Sequence, residues 1–247
     1  MTESVICPPD DEFDAVVCTP AVQLGWIAKA GRDIGENDDR AAAGLYRFAV
    51  ADGAATSARP EVWAEILVHA FVGAGLNPFE PAALTYLRGL WQSEVYRANL
   101  PWHATAKLRQ GGAAAFVGLE IDPHRAHFEA WAVGDACVLH LRDDQLLHVG
   151  PIDRSERFSR FPVLVTTVAG DQAHCAGVWH AEGSYRSGDR FLLASDALAK
   201  YLLRRYERGG SLAVASEFAR NFAEWVDRAR RQEDLDNDDT TVCVVAV

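Results

Sequence analysis

The chain has 247 residues, 49% hydrophobic and 24% charged, enough for one large domain with a sizeable core or, less simply, two small ones. Its formal net charge of −11 argues against nucleic acid or an anionic membrane surface as the main partner. Five cysteines (Cys7, Cys18, Cys137, Cys175 and Cys243) include no C-x-x-C pair and no histidine at zinc-like spacing, so scattered free thiols of a reducing compartment explain them best. No apolar run approaches membrane-spanning length, and residues 1–14 lack the basic-then-apolar pattern of a secretory signal, so a cytoplasmic location is expected.

Residues 1–20 are rich in Pro and Asp and are expected to be loosely ordered, with a single domain over 21–247. Residues 22–30 carry Leu24, Trp26, Ile27 and Ala28 and read as a first strand. A mixed-charge loop follows and ends in Asn37-Asp38-Asp39. Residues 45–51 read as a second strand that delivers Asp52 into a Gly- and Ala-rich turn. From Glu61 the period becomes helical, with Val62, Trp63, Ile66, Leu67, Ala70 and Phe71 on one face and Pro60 suited to a first turn. A second helix carries Leu84, Leu87, Trp91 and Val95 on one stripe. His69 and His103 have no histidine or cysteine three or four residues away and read as surface or loop residues.

Residues 111–121, 126–133, 136–141 and 145–149 read as an antiparallel meander, with Asp135 in the tight Gly134-Asp135 turn. On spacing alone Asp135 is a turn-former. Residues 154–183 show no clear period and read as loop with one short element. A strand over 191–194 ends at Ser195-Asp196, and Leu198, Tyr201, Leu202 and Tyr206 mark a helix stopped by Gly209-Gly210. Ser211 is placed to cap the next helix, whose stripe is Leu212, Ala215, Phe218, Phe222 and Trp225. An acidic turn, Asp236-Asn237-Asp238-Asp239, leads into a terminal strand over 241–247. Helices in two blocks with strands between them favour a layered α+β domain over a βαβ repeat.

A single acid at a strand end is most often an Asx-turn that caps its own backbone. Here four such junctions recur, at Asp38-Asp39, Asp52, Asp196 and Asp236 to Asp239. If the fold gathers them, like charges share one pocket, and either some are protonated or hard cations sit between them. The chain holds no G-x-x-x-x-G-K-[ST] loop, no H-E-x-x-H and no G-x-S-x-G elbow. Asp234-x-Asp236-x-Asp238 fails as a calcium loop, because Asp239 stands where Gly is needed and Val245 where a bidentate Glu is needed.

The ordered series Asn37-Asp38-Asp39, Val50-Ala51-Asp52-Gly53, Gly111-Gly112, Val133-Gly134-Asp135, Leu193-Ala194-Ser195-Asp196 and Asp238-Asp239-Thr240-Thr241-Val242 resembles the metal-dependent type-2C (PPM) Ser/Thr protein phosphatase family, in a divergent bacterial form. The resemblance runs from about residue 24 to residue 247. It implies a four-layer α-β-β-α sandwich of two antiparallel sheets flanked by helix pairs. It implies two or three Mn2+ or Mg2+ ions, and hydrolysis of phosphoserine and phosphothreonine monoesters through a metal-activated bridging water. Carried over by motif, Asp52 bridges both ions and the Gly53 carbonyl binds one, while Asp196 and Asp238 ligate the ion on the other side. Asp39 matches the first-motif acid that helps position the water. Asp38 is its outer-shell neighbour, and Asp135 matches the acid of a third ion. The implied partner is a phosphorylated protein, in opposition to a Ser/Thr kinase.

Several positions depart from that pattern. Ile34 stands where many members carry the Arg that holds the substrate phosphate, and the sequence does not choose among Arg32, Arg40 and Arg59 as its replacement. Ala54 stands where eukaryotic members place a His, and Ala197 where Gly is usual. The Asp238-Asp239 pair replaces Asp-Asn and leaves Asp236, Asp238 and Asp239 open as the metal-facing acid. The alternative reading is a catalytically silent module of the same fold that binds a phosphoprotein or kinase partner. By position, residues 154–183 form the family's variable flap near the site.

Overall fold

The computed structural model describes residues 19–96, 102–232 and 234–247. Residues 1–18, with Cys7 and Cys18, lie outside these, as do the side chains of His103 and Ala215. The chain begins with strands β1 (Ala21–Ile27), β2 (Arg40–Ala43) and β3 (Arg47–Gly53), then helices α1 (Pro60–Gly73), α2 (Pro81–Val95) and α3 (Trp102–Leu108). Strands β4 (Ala113–Asp122), β5 (His127–Val133), β6 (Cys137–Arg142), β7 (Gln145–Gly150), β8 (Val165–Thr166), β9 (Trp179–Ser184) and β10 (Arg190–Ala194) follow. Helices α4 (Asp196–Glu207) and α5 (Val214–Arg231) precede the last strand, β11 (Thr240–Ala246).

Among the described residues the strands form two antiparallel sheets, in the orders β1-β11-β10-β6-β7 and β2-β3-β4-β5-β9, with β8 paired to β4. Successive side chains of a strand point to opposite faces. In β10, Phe191 and Leu193 enter the core between the sheets beside Phe48, Val50, Val117 and Val245, while Leu192 and Ala194 face α4 and α5. Both faces of these strands are buried, which is why they read as apolar runs with no polar alternation. The α1 and α2 stripes, Trp63, Leu67 and Phe71 with Leu87 and Trp91, cover Ala49, Ala51 and Phe116 on the outer face of the second sheet. The expected four-layer α-β-β-α sandwich is the fold observed.

Four local expectations are corrected. The second strand read over 45–51 is one arm of a β2–β3 hairpin paired Arg40 to Ala51, so a further strand stands between the acidic loop and it. The run over 111–149 is not one meander, because β4 and β5 belong to one sheet and β6 and β7 to the other. The crossing falls at Gly134, whose φ of +89° favours glycine and where an added Cβ would meet the Ala115 Cβ at 2.7 Å. Residues 154–183 contain the paired strand β9 and short helical turns besides β8. Ser211 lies ahead of α5 and accepts the Ala213 N–H (3.0 Å) rather than capping the helix proper.

One buried polar knot ties β6 to the turn before β10. Asp189, 1% exposed, accepts from Arg142 Nε and Nη2 (2.7 Å each) and from the Arg186 amide (2.9 Å), and its carboxylate is paired with His140 Nε2 at 2.9 Å. Burial alone raises this carboxyl, but the bonds from Arg142, Arg186 and His140 more than offset it and bring it down to about 2. Its stabilising effect is therefore present above the ordinary carboxylate value and is lost as pH falls toward 2. Asp189→Ala would strand His140 and Arg142, and it is expected to cost roughly 3–5 kcal/mol, read as a lower urea midpoint at unchanged m.

Candidate metal centre and active site

The pairing of the strands brings distant motifs to one end of the sandwich. β11 pairs with β1 so that Ile27 faces Thr240, and with β10 so that Ala194 faces Val242. The acidic turn before β11 therefore meets the end of β1 and the start of α4. β2 and β3 pair so that Asp39, just before β2, lies near Asp52 at the end of β3. The sheet-crossing turn adds Asp135. Asp38, Asp39, Asp52, Gly53, Asp135, Asp196, Asp236, Asp238 and Asp239 all line one cavity of about 680 Å³.

Each acid is held differently. Asp52 is partly buried, and its Oδ2 accepts from the Asp196 amide at 3.4 Å. Asp196 is the first residue of α4, where the helix dipole favours a carboxylate. Asp39 is 4% exposed and takes its backbone geometry from Asn37, whose Oδ1 accepts the Asp39 amide at 2.7 Å. Its Oδ2 is buried with no hydrogen-bond partner. Ser195, fully buried, fixes the junction of β10 and β11: its hydroxyl accepts from the Thr241 amide (2.9 Å), and its own amide donates to the Thr241 carbonyl (3.1 Å). Gly53 has no room for a side chain, since a Cβ there would lie 2.5 Å from the Asp38 carbonyl oxygen.

Asp236, Asp238 and Asp239 all line the cavity, but their carboxylates are engaged differently. Asp239 is buried, and both of its oxygens are used: Oδ1 accepts the Lys29 amide and Oδ2 the Asp38 amide, each at 2.7 Å. It clamps the end of β1 to the first acidic motif. Asp236 pairs with Lys200 at 2.6 Å. Asp238 keeps its side chain 57% exposed to the cavity, with Lys29 at 3.7 Å.

Gathering these acids without ions makes their ionisation costly. Burial first, then the charges of Asp239 and Asp196, push Asp39 up to about 8. Burial and the neighbouring Asp39, Asp196 and Asp135 charges push Asp52 well above the ordinary carboxylate value. Burial and Asp196 raise Asp135 to about 7, burial and Asp238 raise Asp196, and burial and Asp239 raise Asp38.

The donor chemistry fits hard divalent ions. The donors are oxygens, the buried Asp39 Oδ2 is unpartnered, and no Cys or His side chain lines the cavity among the described residues. Cys137, behind Asp135, is buried with its thiol pushed far up by burial, and it donates to the Asp135 carbonyl (3.4 Å). Among the described residues no three Asp, Glu, His or Cys side chains are drawn together as a finished cage. The acids instead ring a wide cavity, an arrangement in keeping with ions that retain several waters.

Of the three arginines open as a phosphate ligand, Arg32 lines the cavity, 3.9 Å from Asp38. Arg40 pairs with Glu65 (2.8 Å) and donates to the Asn37 and Asp39 carbonyls, supporting the acidic loop from outside the cavity. Arg59 pairs with Glu61, also outside the lining. Lys29, Arg160 and Lys200 line the cavity and are not singled out by motif. Lys200 was findable, since it stands four residues after Asp196 and so on the same helical face. Arg160 carries no sequence signal. It arrives on the segment over 158–164, which lines the cavity as the expected flap does.

No protein-family model and no curated protein sequence matches the chain. Solved structures do. PstP/Ppp, a serine/threonine phosphatase of Mycobacterium tuberculosis, is 17% identical, with a TM-score of 0.61 over 93% of this chain and 99% of that one. The catalytic domain of the serine/threonine protein phosphatase PstP, solved with 2 manganese ions, is 19% identical, with a TM-score of 0.60 over 92% of this chain and 98% of that one. RsbX, solved with magnesium, is 16% identical, with a TM-score of 0.52 over 96% and 97%. The chain has the fold of the metal-dependent type-2C (PPM) Ser/Thr phosphatases. No helix of the described residues is long and apolar enough to cross a membrane.

The raised acids set the pH dependence of the ion-free protein. Between the ordinary value of 3.8 and about 8, the folded state keeps protons that the unfolded chain has released. Stability from this cluster is therefore fully present at the acid end and is lost as pH rises. Without divalent ions, the melting temperature is expected to fall as pH rises from 3.8 to about 8. Saturating Mn2+ is expected to reverse the trend, adding about 2.7 kcal/mol at a hundred times its Kd.

Proposed function

We propose that the protein is a Mn2+- or Mg2+-dependent phosphatase that hydrolyses phosphoserine and phosphothreonine monoesters on proteins. The observation that carries this reading is the convergence of the acidic junctions, from five separate parts of the chain, in one cavity of the PPM fold. The similar PstP and RsbX structures hold manganese and magnesium, which supports the same ions here.

In this reading Asp52, the Gly53 carbonyl, Asp196 and Asp238 would hold the ions, Asp39 would be the inner acid of the first motif, Asp38 would act from the outer shell, and Asp135 would serve a third ion. Bound there, the ions would supply Lewis acidity that activates a water toward phosphorus and neutralises phosphoryl charge. The chain's part is to keep the acids fixed. Asp239 and Ser195 hold the backbone on which Asp38, Asp196 and Asp238 are mounted, and the α4 N-terminus faces Asp52 with an amide. Asp39 and Asp52 would hold the ions as carboxylates, their protons passing to solvent. Lys29, Arg32, Arg160 and Lys200 surround the acids with positive charge, where the phosphate of a substrate would enter.

One observation favours the second reading, a silent module that binds a phosphoprotein or kinase partner: Ile34, where a phosphate-holding Arg is usual, is 60% exposed and carries no charge. Hydrolysis of p-nitrophenyl phosphate with titrated Mn2+ and Mg2+ separates the two. The phosphatase reading expects metal-dependent turnover, and absence of any turnover on aryl phosphates or phosphopeptides would sink it.

Asp52→Asn is expected to lower turnover by more than the roughly 10–100-fold that loss of an outer-shell partner costs. It is also expected to stabilise the ion-free fold by roughly 0.5–2 kcal/mol, because it removes a carboxylate facing Asp39, Asp196 and Asp135. Melting curves of both proteins with and without Mn2+ check this: the mutant starts higher and gains less from the ion.

A further inference from the structure

The cavity has four cationic residues among the described residues, and three are already matched to acids. Lys29 faces Asp238, Arg32 faces Asp38 and Lys200 faces Asp236. Arg160 lines the same cavity and makes no ion pair among the described residues. Its mounting is specific. At one end of its segment Phe158 packs against the core under α4 and α5, and at the other Leu164 packs into the core between the sheets. Between these anchors the Phe161 amide donates to Ser159 Oγ at 3.1 Å, forming a local turn with Arg160 at its apex. Both ends of the segment are held by buried apolar contacts, and a guanidinium is carried at the rim of an acid-lined cavity. A guanidinium is planar, permanently charged and matched to two phosphate oxygens at once.

We propose that Arg160 is the phosphoryl-binding residue of this site, supplied by the flap in place of the arginine absent at position 34. The inference rests on the phosphatase reading for its substrate, though the binding step it describes needs no turnover. Arg160 would contact the non-bridging phosphoryl oxygens and, making no ion pair of its own among the described residues, compensate charge without competing for a metal-facing carboxylate.

The test measures the binding of inorganic phosphate to Mn2+-loaded protein by calorimetry, together with KM and kcat for p-nitrophenyl phosphate, in wild type, Arg160→Ala, Arg160→Lys and Arg32→Ala. Arg160 is exposed, so its replacement is not expected to disturb folding. Arg160→Ala is expected to weaken phosphate binding and raise KM by about tenfold or more, with a smaller change in kcat, and Lys is expected to recover part of the loss. Phosphate affinity and KM within about twofold of wild type in Arg160→Ala, or a larger loss in Arg32→Ala, would overturn the assignment. A wild type that does not turn over but binds phosphate through Arg160 removes the enzyme reading and leaves this one standing. A loaded wild type that binds no phosphate ends it.

Discussion

Carboxylates collected at one end of a β-sandwich repel one another, and burial makes each charge harder to keep. Asp39, Asp52, Asp135 and Asp196 all carry this penalty, and each lies near at least one other acid of the group. A cluster of that kind lowers the stability of the ion-free fold, so the surrounding structure has to hold it by other means. The three buried layers of apolar side chains supply most of that holding force, and the polar clamps supply its direction.

Asp239 lines the cavity, yet both of its carboxylate oxygens are taken up by backbone amides. By accepting two backbone amides from segments more than 200 residues away, it joins the first and last motifs of the chain. Its neighbour Asp238 is thereby left to point into the cavity. Ser195 does the same for the junction between β10 and β11. These residues position rather than react, and their bonds are made with backbone groups whose location depends on strand register.

The rim is organised by charge. Lys29 and Lys200 stand close to the outer acids, Arg40 supports the acidic loop from behind, and the segment over 158–164 brings Arg160 to the cavity. With Ile34 in the place of an arginine, positive charge in the cavity comes from Lys29 and Arg32 near the first motif and from Arg160 and Lys200 far along the chain.

The helices over 60–73 and 81–95, the apolar strands, the order of the acidic junctions and the absence of zinc or nucleotide motifs were all legible in the sequence, because side-chain period and turn chemistry are local. Spacing could not tell Asp135 from an ordinary turn residue, because its place in the cavity depends on the chain changing sheets at Gly134. Nor could it show that, of Asp236, Asp238 and Asp239, it is Asp239 that meets the amides of Lys29 and Asp38. Arg160 carried no signal at all. The sequence by itself determined which residues have the chemistry to bind hard cations. Only the tertiary structure decided which of them share a cavity, because long-range register, not local pattern, brings the two sheet ends together.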